Sequence, residues 1–170
     1  LFVKRRMRSE LGADWQGRFG SFEKDACAAA SLGQVHKATT LEGTALACKL
    51  QYPDMQSAVE ADLSQLSMLF SVQRRIDGSI NTSEMAIEIG DRLREELDYK
   101  REAAHMRLYG DIFADEPRVN IPEFQPELST GRLLSMSWLE GKPMLSFKDR
   151  SLDDRNKIAE AMFLAWWLPF

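Results

Sequence analysis

The chain has 170 residues, 44% of them apolar and 28% charged, ordinary globular usage that excludes disorder, collagen-like repeats and low complexity. Its 22 basic and 26 acidic residues leave a net charge of −4, which argues against broad electrostatic binding to nucleic acid. Cys27 and Cys48 are too few for a disulfide framework or a four-cysteine zinc site, and His36 and His105 leave little for a histidine-rich metal centre or a Ser-His-Asp triad.

In chain order, Val3 to Leu11 is short, basic and predicted to be helical, and Gly12, Gly17 and Gly20 break it. Ala26 to Tyr52 reads as an antiparallel pair or three-stranded meander, with Glu42-Gly43 as a turn and Thr44 to Leu50 as a strand. Pro53-Asp54 opens a helix whose apolar stripe is Met55, Val59, Leu63, Leu66 and Phe70, ending at Gly78. Asn81-Thr82-Ser83-Glu84 is a capping-box variant that starts a long helix, 82–109, with Ile89, Leu93 and Leu97 as its buried stripe and Gly110 as its stop. Strand-like segments follow at Arg118 to Glu127, which Pro122 and Pro126 make an edge strand or irregular, and at Arg132 to Leu139. A last helix begins near Leu152. The order β-β, α-α, β-β, α predicts an α+β fold with a small antiparallel sheet. No stretch reaches the roughly 18 apolar residues that span a bilayer, and the start does not resemble a signal peptide. The chain lacks an initiator methionine and ends on an apolar run; both ends are expected to be cuts through a longer protein.

The segment Ala28-Ala29-Ala30-Ser31-Leu32-Gly33-Gln34-Val35 sets Gly33 and Val35 on the third glycine and the valine of the phosphate-cradling pattern G-x-G-x-x-G-x-V. Ala28 and Ala30 stand in place of its first two glycines. Small residues let backbone N–H groups approach phosphate, although alanine gives up glycine's φ freedom. The bland alternative is an alanine-rich strand that packs tightly. Lys49, in Ala47-Cys48-Lys49-Leu50, matches the V-A-I-K pattern; a lysine within an apolar strand needs a partner unless it lies on an exposed face. Carboxylate partners are offered by Glu95, Glu96, Asp98 and Glu102. Helical spacing puts Glu95, Asp98 and Glu102 on one face, unless that face is simply solvated, with pairs such as Glu96–Lys100.

Taken together, residues 28–38, 47–53 and 95–103 closely resemble the AarF/UbiB atypical kinase-like family, which is linked to ubiquinone biosynthesis. The resemblance runs from about Ala26 to the C-terminus. It implies the N-terminal lobe of a protein-kinase-like fold, with the start of a helical C-terminal lobe. The implied division is an N-terminal helical extension at 1–25, the lobe at 26–141 with a helical insertion at 54–77, and the hinge and C-lobe start at 142–170. It further implies that Ala28, Ala29, Ala30, Ser31, Gly33, Gln34 and Val35 form the nucleotide loop, and that Lys49 contacts phosphate and pairs with Glu102. Glu96 and Asp98 would be the family's Glu-x-Asp motif. Met136, Trp138, Leu139 and Glu140 would hold adenine, in part through backbone groups. The implied ligands are ATP or ADP with Mg, and the implied partners a lipid or quinone precursor and a peripheral membrane surface, but no nucleic acid. The implied location is cytoplasmic or peripheral to a bacterial inner membrane, or the matrix side of a mitochondrion. The family's Lys-x-Gly-Gln segment has no match before Ala26. The chain also holds no catalytic-loop aspartate with a downstream asparagine and no Asp-Phe-Gly, so no metal ligands are expected within it, and the chain alone is expected not to turn over ATP. The rivals are a nucleotide-binding pseudokinase scaffold and a non-catalytic α+β interaction domain.

Among the lesser candidates, Cys48 beside Lys49 reads as a reactive thiol or, more simply, a small apolar strand residue. Trp15, Trp138, Trp166 and Trp167 are expected in the core rather than as ligand stackers, with packing on a missing C-terminal lobe as the alternative for Trp166 and Trp167. Lys4, Arg5, Arg6 and Arg8 form either a lipid-facing cluster or an ordinary solvated helix face.

Overall fold

In the computed structural model, which describes residues 2–76 and 82–170, the elements are α1 (Phe2–Leu11), β1 (Ser21–Phe22), β2 (Ala28–Ala30), β3 (Gly33–Thr39), β4 (Ala45–Gln51), α2 (Met55–Ile76), α3 (Thr82–Leu97), α4 (Tyr99–Ile112), β5 (Leu133–Ser137) and α5 (Leu152–Trp167). All strand pairs are antiparallel, in the order β1-β3-β4-β5, with β2 also on β3. The fold is α+β, as the element order predicts.

Alternation along β4 decides the architecture. Leu46, Cys48 and Leu50 point to one face and are fully buried, while Ala47 and Lys49 point to the other and are half-buried. The first face is closed by α1 and the short 3₁₀ turn Trp15–Arg18. Met7, Leu11, Trp15 and Phe19 pack there on Ala38, Leu46, Cys48, Leu50 and Leu133. The second face receives α4, whose Tyr99 and Ala103 pack on Leu134, flanked by Met106, Phe124 and Met136. Cross-strand partners put Ala28, Val35, Lys49 and Leu134 in one row on this second face, with Lys37, Ala47 and Met136 in the next.

Several expectations are corrected. The segment 1–25 is not only helical, because β1 lies within it and joins the sheet through Ser21↔Thr39 and Phe22↔Ala38. The segment Arg118 to Glu127 is irregular, touching β5 through the single bridge Phe124↔Met136 before a 3₁₀ turn at Pro126–Leu128; two prolines without N–H groups leave too few donors for a ladder. The helix expected over 82–109 is two helices, α3 and α4, parted at Asp98. In its buried stripe Leu93 and Leu97 are half-buried, but Ile89 is exposed. Gly90 takes the contact position instead, where a Cβ would lie 3.5 Å from Leu63 Cδ1. Val59 and Leu63 are buried as predicted. Helix α2 starts at Met55, one residue after Asp54, which takes a left-handed φ of 57°. Gly78 and Asn81, expected to end one helix and cap the next, lie outside the described residues. Trp15 is in the core, whereas Trp166 and Trp167 are exposed on α5, which buries no residue.

Candidate functional site

Lys49 stands mid-strand on the open face of β4, and α4 passes across it. Its Nζ donates to both carboxylate oxygens of Glu102, at 2.9 and 2.8 Å. It also lies 5.0 Å from the centroid of the buried Tyr99 ring, a favourable cation–π distance. The Lys49 side chain is 20% exposed and that of Glu102 37%, so the pair is open to an incoming ligand on one side. An ammonium has three donors, so one of them is left over.

The break at Asp98 aims Glu102. The Asp98 carboxylate accepts from the backbone N–H of Lys100 at 3.1 Å and of Arg101 at 3.0 Å, capping α4. Glu102 then falls in the first turn of α4, where a negative charge suits the helix dipole. The expected single acidic face is therefore corrected: Asp98 is a cap, and Glu95 pairs with Arg92 and Arg101. No ion pair joins Glu96 to Lys100 among the described residues. Glu96 instead borders a cavity of about 240 Å³ with Lys49, Glu95, Arg101, Glu102 and His105. Replacement of Asp98 by alanine is expected to cost about 1 kcal/mol of stability, read as a lower urea midpoint at unchanged slope.

Beside β4 in the same sheet, Ala28 to Val35 form the hairpin of β2 and β3, with Ala28↔Val35, Ala29↔Gln34 and Ala30↔Gly33 in register and Ser31-Leu32 as its two-residue turn. Tyr52 N–H donates to Leu32 O at 3.1 Å, tying the turn to the end of β4. Ala28 and Ala29 are exposed and Ala30 is half-buried. At the other end of the open face, Met136 sits beside Ala47. Trp138 N–H is already engaged with Ala45 O at 3.0 Å, which removes one of the backbone donors expected for adenine; the amides of Leu139 and Glu140 make no such bond among the described residues. The Trp138 indole donates to Glu140 at 2.7 Å and lies 4.3 Å beneath the ammonium of Lys37.

Cys48 is on the buried face, and burial pushes its thiol up to about 11, only partly offset by the hydrogen bond from Ser135. The reactive-thiol reading fails for it. Iodoacetamide at neutral pH is expected to modify exposed Cys27 and spare Cys48 in the folded chain, as peptide mass spectrometry would show. His36 is fully buried on the same face, with Nδ1 bonded to Glu23 O. Among the described residues no three metal-ligating side chains converge, and no helix is long and apolar enough to cross a membrane.

Two residues of the site went unpredicted. Gln51, two positions beyond Lys49 on the same strand face, is 4% exposed and donates from Nε2 to Leu97 O at 2.8 Å. Its signal was a second polar residue at strand period from the lysine. Arg6, expected on a solvated or lipid-facing surface, instead donates to the carbonyls of Gln51 at 3.1 Å and Tyr52 at 2.9 Å, whereas Lys4, Arg5 and Arg8 are exposed. Sequence spacing gives no sign of the Arg6 contact, which joins residues 45 and 46 apart.

A family model described as the ABC1 atypical kinase-like domain matches residues 2–166. The chain is 31% identical to the atypical kinase COQ8, mitochondrial, of Saccharomyces cerevisiae, covering 91% of this chain and 31% of that protein. It is 34% identical to the atypical kinase COQ8B, mitochondrial, of Rattus norvegicus, covering 89% and 29%. Among solved structures, the Mycobacterium tuberculosis protein Rv3197, determined in complex with erythromycin, superposes with a TM-score of 0.78 at 32% identity, covering 90% of this chain and 39% of that one. The chain thus spans about a third of the length of these relatives.

Proposed function

The chain belongs to the ABC1 atypical kinase-like family, and its sheet and helices form the kinase-like N-terminal lobe; from that premise we propose that it is the ATP- or ADP-binding part of a UbiB-type atypical kinase or ATPase that supports ubiquinone biosynthesis. One observation carries the proposal: Lys49 meets both oxygens of Glu102 in the sheet row that also holds Ala28 and Val35 of the alanine-rich hairpin. The donor set suits a nucleotide. Lys49 retains a free donor for a phosphate oxygen while Glu102 orients it. The small residues Ala28, Ala29, Ala30, Ser31 and Gly33 let the hairpin backbone lie close to the phosphates, with Gln34 and Val35 completing the loop. Met136, Trp138, Leu139 and Glu140 border the adenine end, where the free amides of Leu139 and Glu140 are the donors that support the assignment. Glu96 and Asp98 keep the family-motif role, with Asp98 acting through its cap.

Mg, when bound with the nucleotide, would supply positive charge that offsets the phosphates. The described residues supply no metal-ligand cluster. The proposed roles of this chain are binding and positioning. A lipid or quinone precursor, and a peripheral membrane position in a bacterium or a mitochondrion, are proposed for the whole protein.

Titration with ATP and with ADP tests the proposal. Saturable binding of a fluorescent ATP analogue and a melting temperature that rises with nucleotide concentration are expected. Neither response at millimolar nucleotide overturns it in favour of an interaction domain. Phosphate release well above background in a single-turnover assay with Mg would overturn the positioning-only role.

A further inference from the structure

A continuous α-helix through residues 95–102 would join Arg101 N–H to Leu97 O, four residues back. The break at Asp98 cancels that bond and leaves one donor and one acceptor to be satisfied. Each finds a separate substitute. Arg101 N–H goes to the Asp98 carboxylate at 3.0 Å. Leu97 O is taken by the Gln51 side-chain amide at 2.8 Å. Gln51 is buried, and its main chain is fixed on both sides: its N–H donates to Arg132 O at 3.1 Å, and its carbonyl receives the Arg6 guanidinium. Arg6 is itself held by Glu10, which accepts from Thr130 Oγ1 at 2.7 Å.

We propose that Gln51 is a positioning residue for the Lys49–Glu102 pair: it holds α3 and α4 in their broken arrangement and so sets the rotation of α4 that points Glu102 at Lys49. This rests on the reading of that pair as the phosphate-positioning element. The geometry gives β4 two bridges to the helices, one on each side of the break, from residues two apart on one strand face. The ionic bridge is partly open to solvent and is the one a phosphate would compete for. The Gln51 bridge is buried and neutral, and remains in place when Lys49 turns to ligand. Loss of the Gln51 donor strands Leu97 O, whose cheapest remedy is to regain the Arg101 N–H by restoring a continuous helix. That change rotates Glu102 away.

The test reads Lys49 directly. Acylation of the chain with an N-hydroxysuccinimide ester, followed by peptide mass spectrometry, measures how well the Lys49 amine is held. Gln51→Leu and Gln51→Glu, which both lack the donor, are expected to speed Lys49 acylation about three- to tenfold, the scale of one hydrogen bond, and towards the rate of Glu102→Gln. Adding Gln51→Leu to Glu102→Gln is expected to speed it no further. Leu46→Ala, which opens a cavity on the opposite face, gives the effect of lost stability alone and is expected to leave the rate unchanged. An unchanged rate in both Gln51 variants, or an equal rise in Leu46→Ala, overturns the proposal. None of these readings needs nucleotide, so failure of nucleotide binding and failure of the Gln51 role are seen separately.

Discussion

Exchange of Lys49 for methionine is expected to weaken ATP binding roughly ten- to hundredfold, the worth of one charge-assisted hydrogen bond to phosphate, while the fold remains intact. The methionine keeps most of the aliphatic stem against Tyr99 and Leu134, so packing on the open face changes little. Glu102 loses its partner, but its side chain is 37% exposed and can hydrate. The stability cost is therefore that of a partly solvated pair, about 1 kcal/mol or less. Adenosine separates the causes because it has no phosphate for the lysine to contact. Its affinity is expected to stay within about twofold of wild type. A Lys49→Met chain that binds ATP as well as wild type removes the lysine from the site, and one that loses adenosine as strongly as ATP has been damaged elsewhere. Glu102→Gln is expected to lie between wild type and Lys49→Met, since the ammonium remains but is less well oriented.

The parts of the site that the sequence exposes are those carried by local pattern. Lys49 is legible because a charge at the centre of Ala47-Cys48-Lys49-Leu50 must find a partner. The acidic run offers Glu95, Glu96, Asp98 and Glu102 as partners, and only the family resemblance singles out Glu102. The α2 stripe of Val59 and Leu63 follows from helical period alone. What stays hidden is set by exchanges of hydrogen bonds between distant segments. Asp98 looks like one more carboxylate in a helix of good propensity, and only its side-chain bonds to Lys100 and Arg101 show that it ends α3 and begins α4. Strand β1 is hidden because two residues carry no readable period and earn their pairing from β3. Arg6 reads as surface because its partners are main-chain carbonyls, which have no signature in a sequence. Trp166 and Trp167 read as core by composition, but an aromatic residue is buried only if another surface meets it, and α5 meets none that buries it among the described residues.

Replacement of Gly33 by alanine is expected to be the most destabilising small change in the sheet, costing about 3 kcal/mol, or roughly 6–12 °C in melting temperature for a chain of this size. The cause is contact, not backbone dihedrals. Gly33 does not occupy the left-handed region, but a Cβ there would stand 2.2 Å from Leu50 O and 3.0 Å from Leu50 C. Both are backbone atoms of the neighbouring strand and cannot rotate aside, so β3 would have to move off β4. The pair Val35↔Lys49 follows two residues along the same ladder, so the displacement would shift the hairpin relative to Lys49. Two other glycines separate this account from a general loss of glycine freedom. Gly17 has nothing within 4 Å of a built Cβ, and its alanine variant is expected to melt as wild type does. Gly43 has the same open space but a φ of 90°, so alanine there is expected to cost about 1 kcal/mol through strain alone. Thermal unfolding of the three variants checks the order Gly33, Gly43, Gly17, and equal melting temperatures for Gly33→Ala and Gly17→Ala would mean the strands are not this close. The match of Gly33 to the third glycine of a phosphate loop then has a physical reason of its own: the hairpin needs a residue without a side chain where β3 comes this close to the backbone of Leu50.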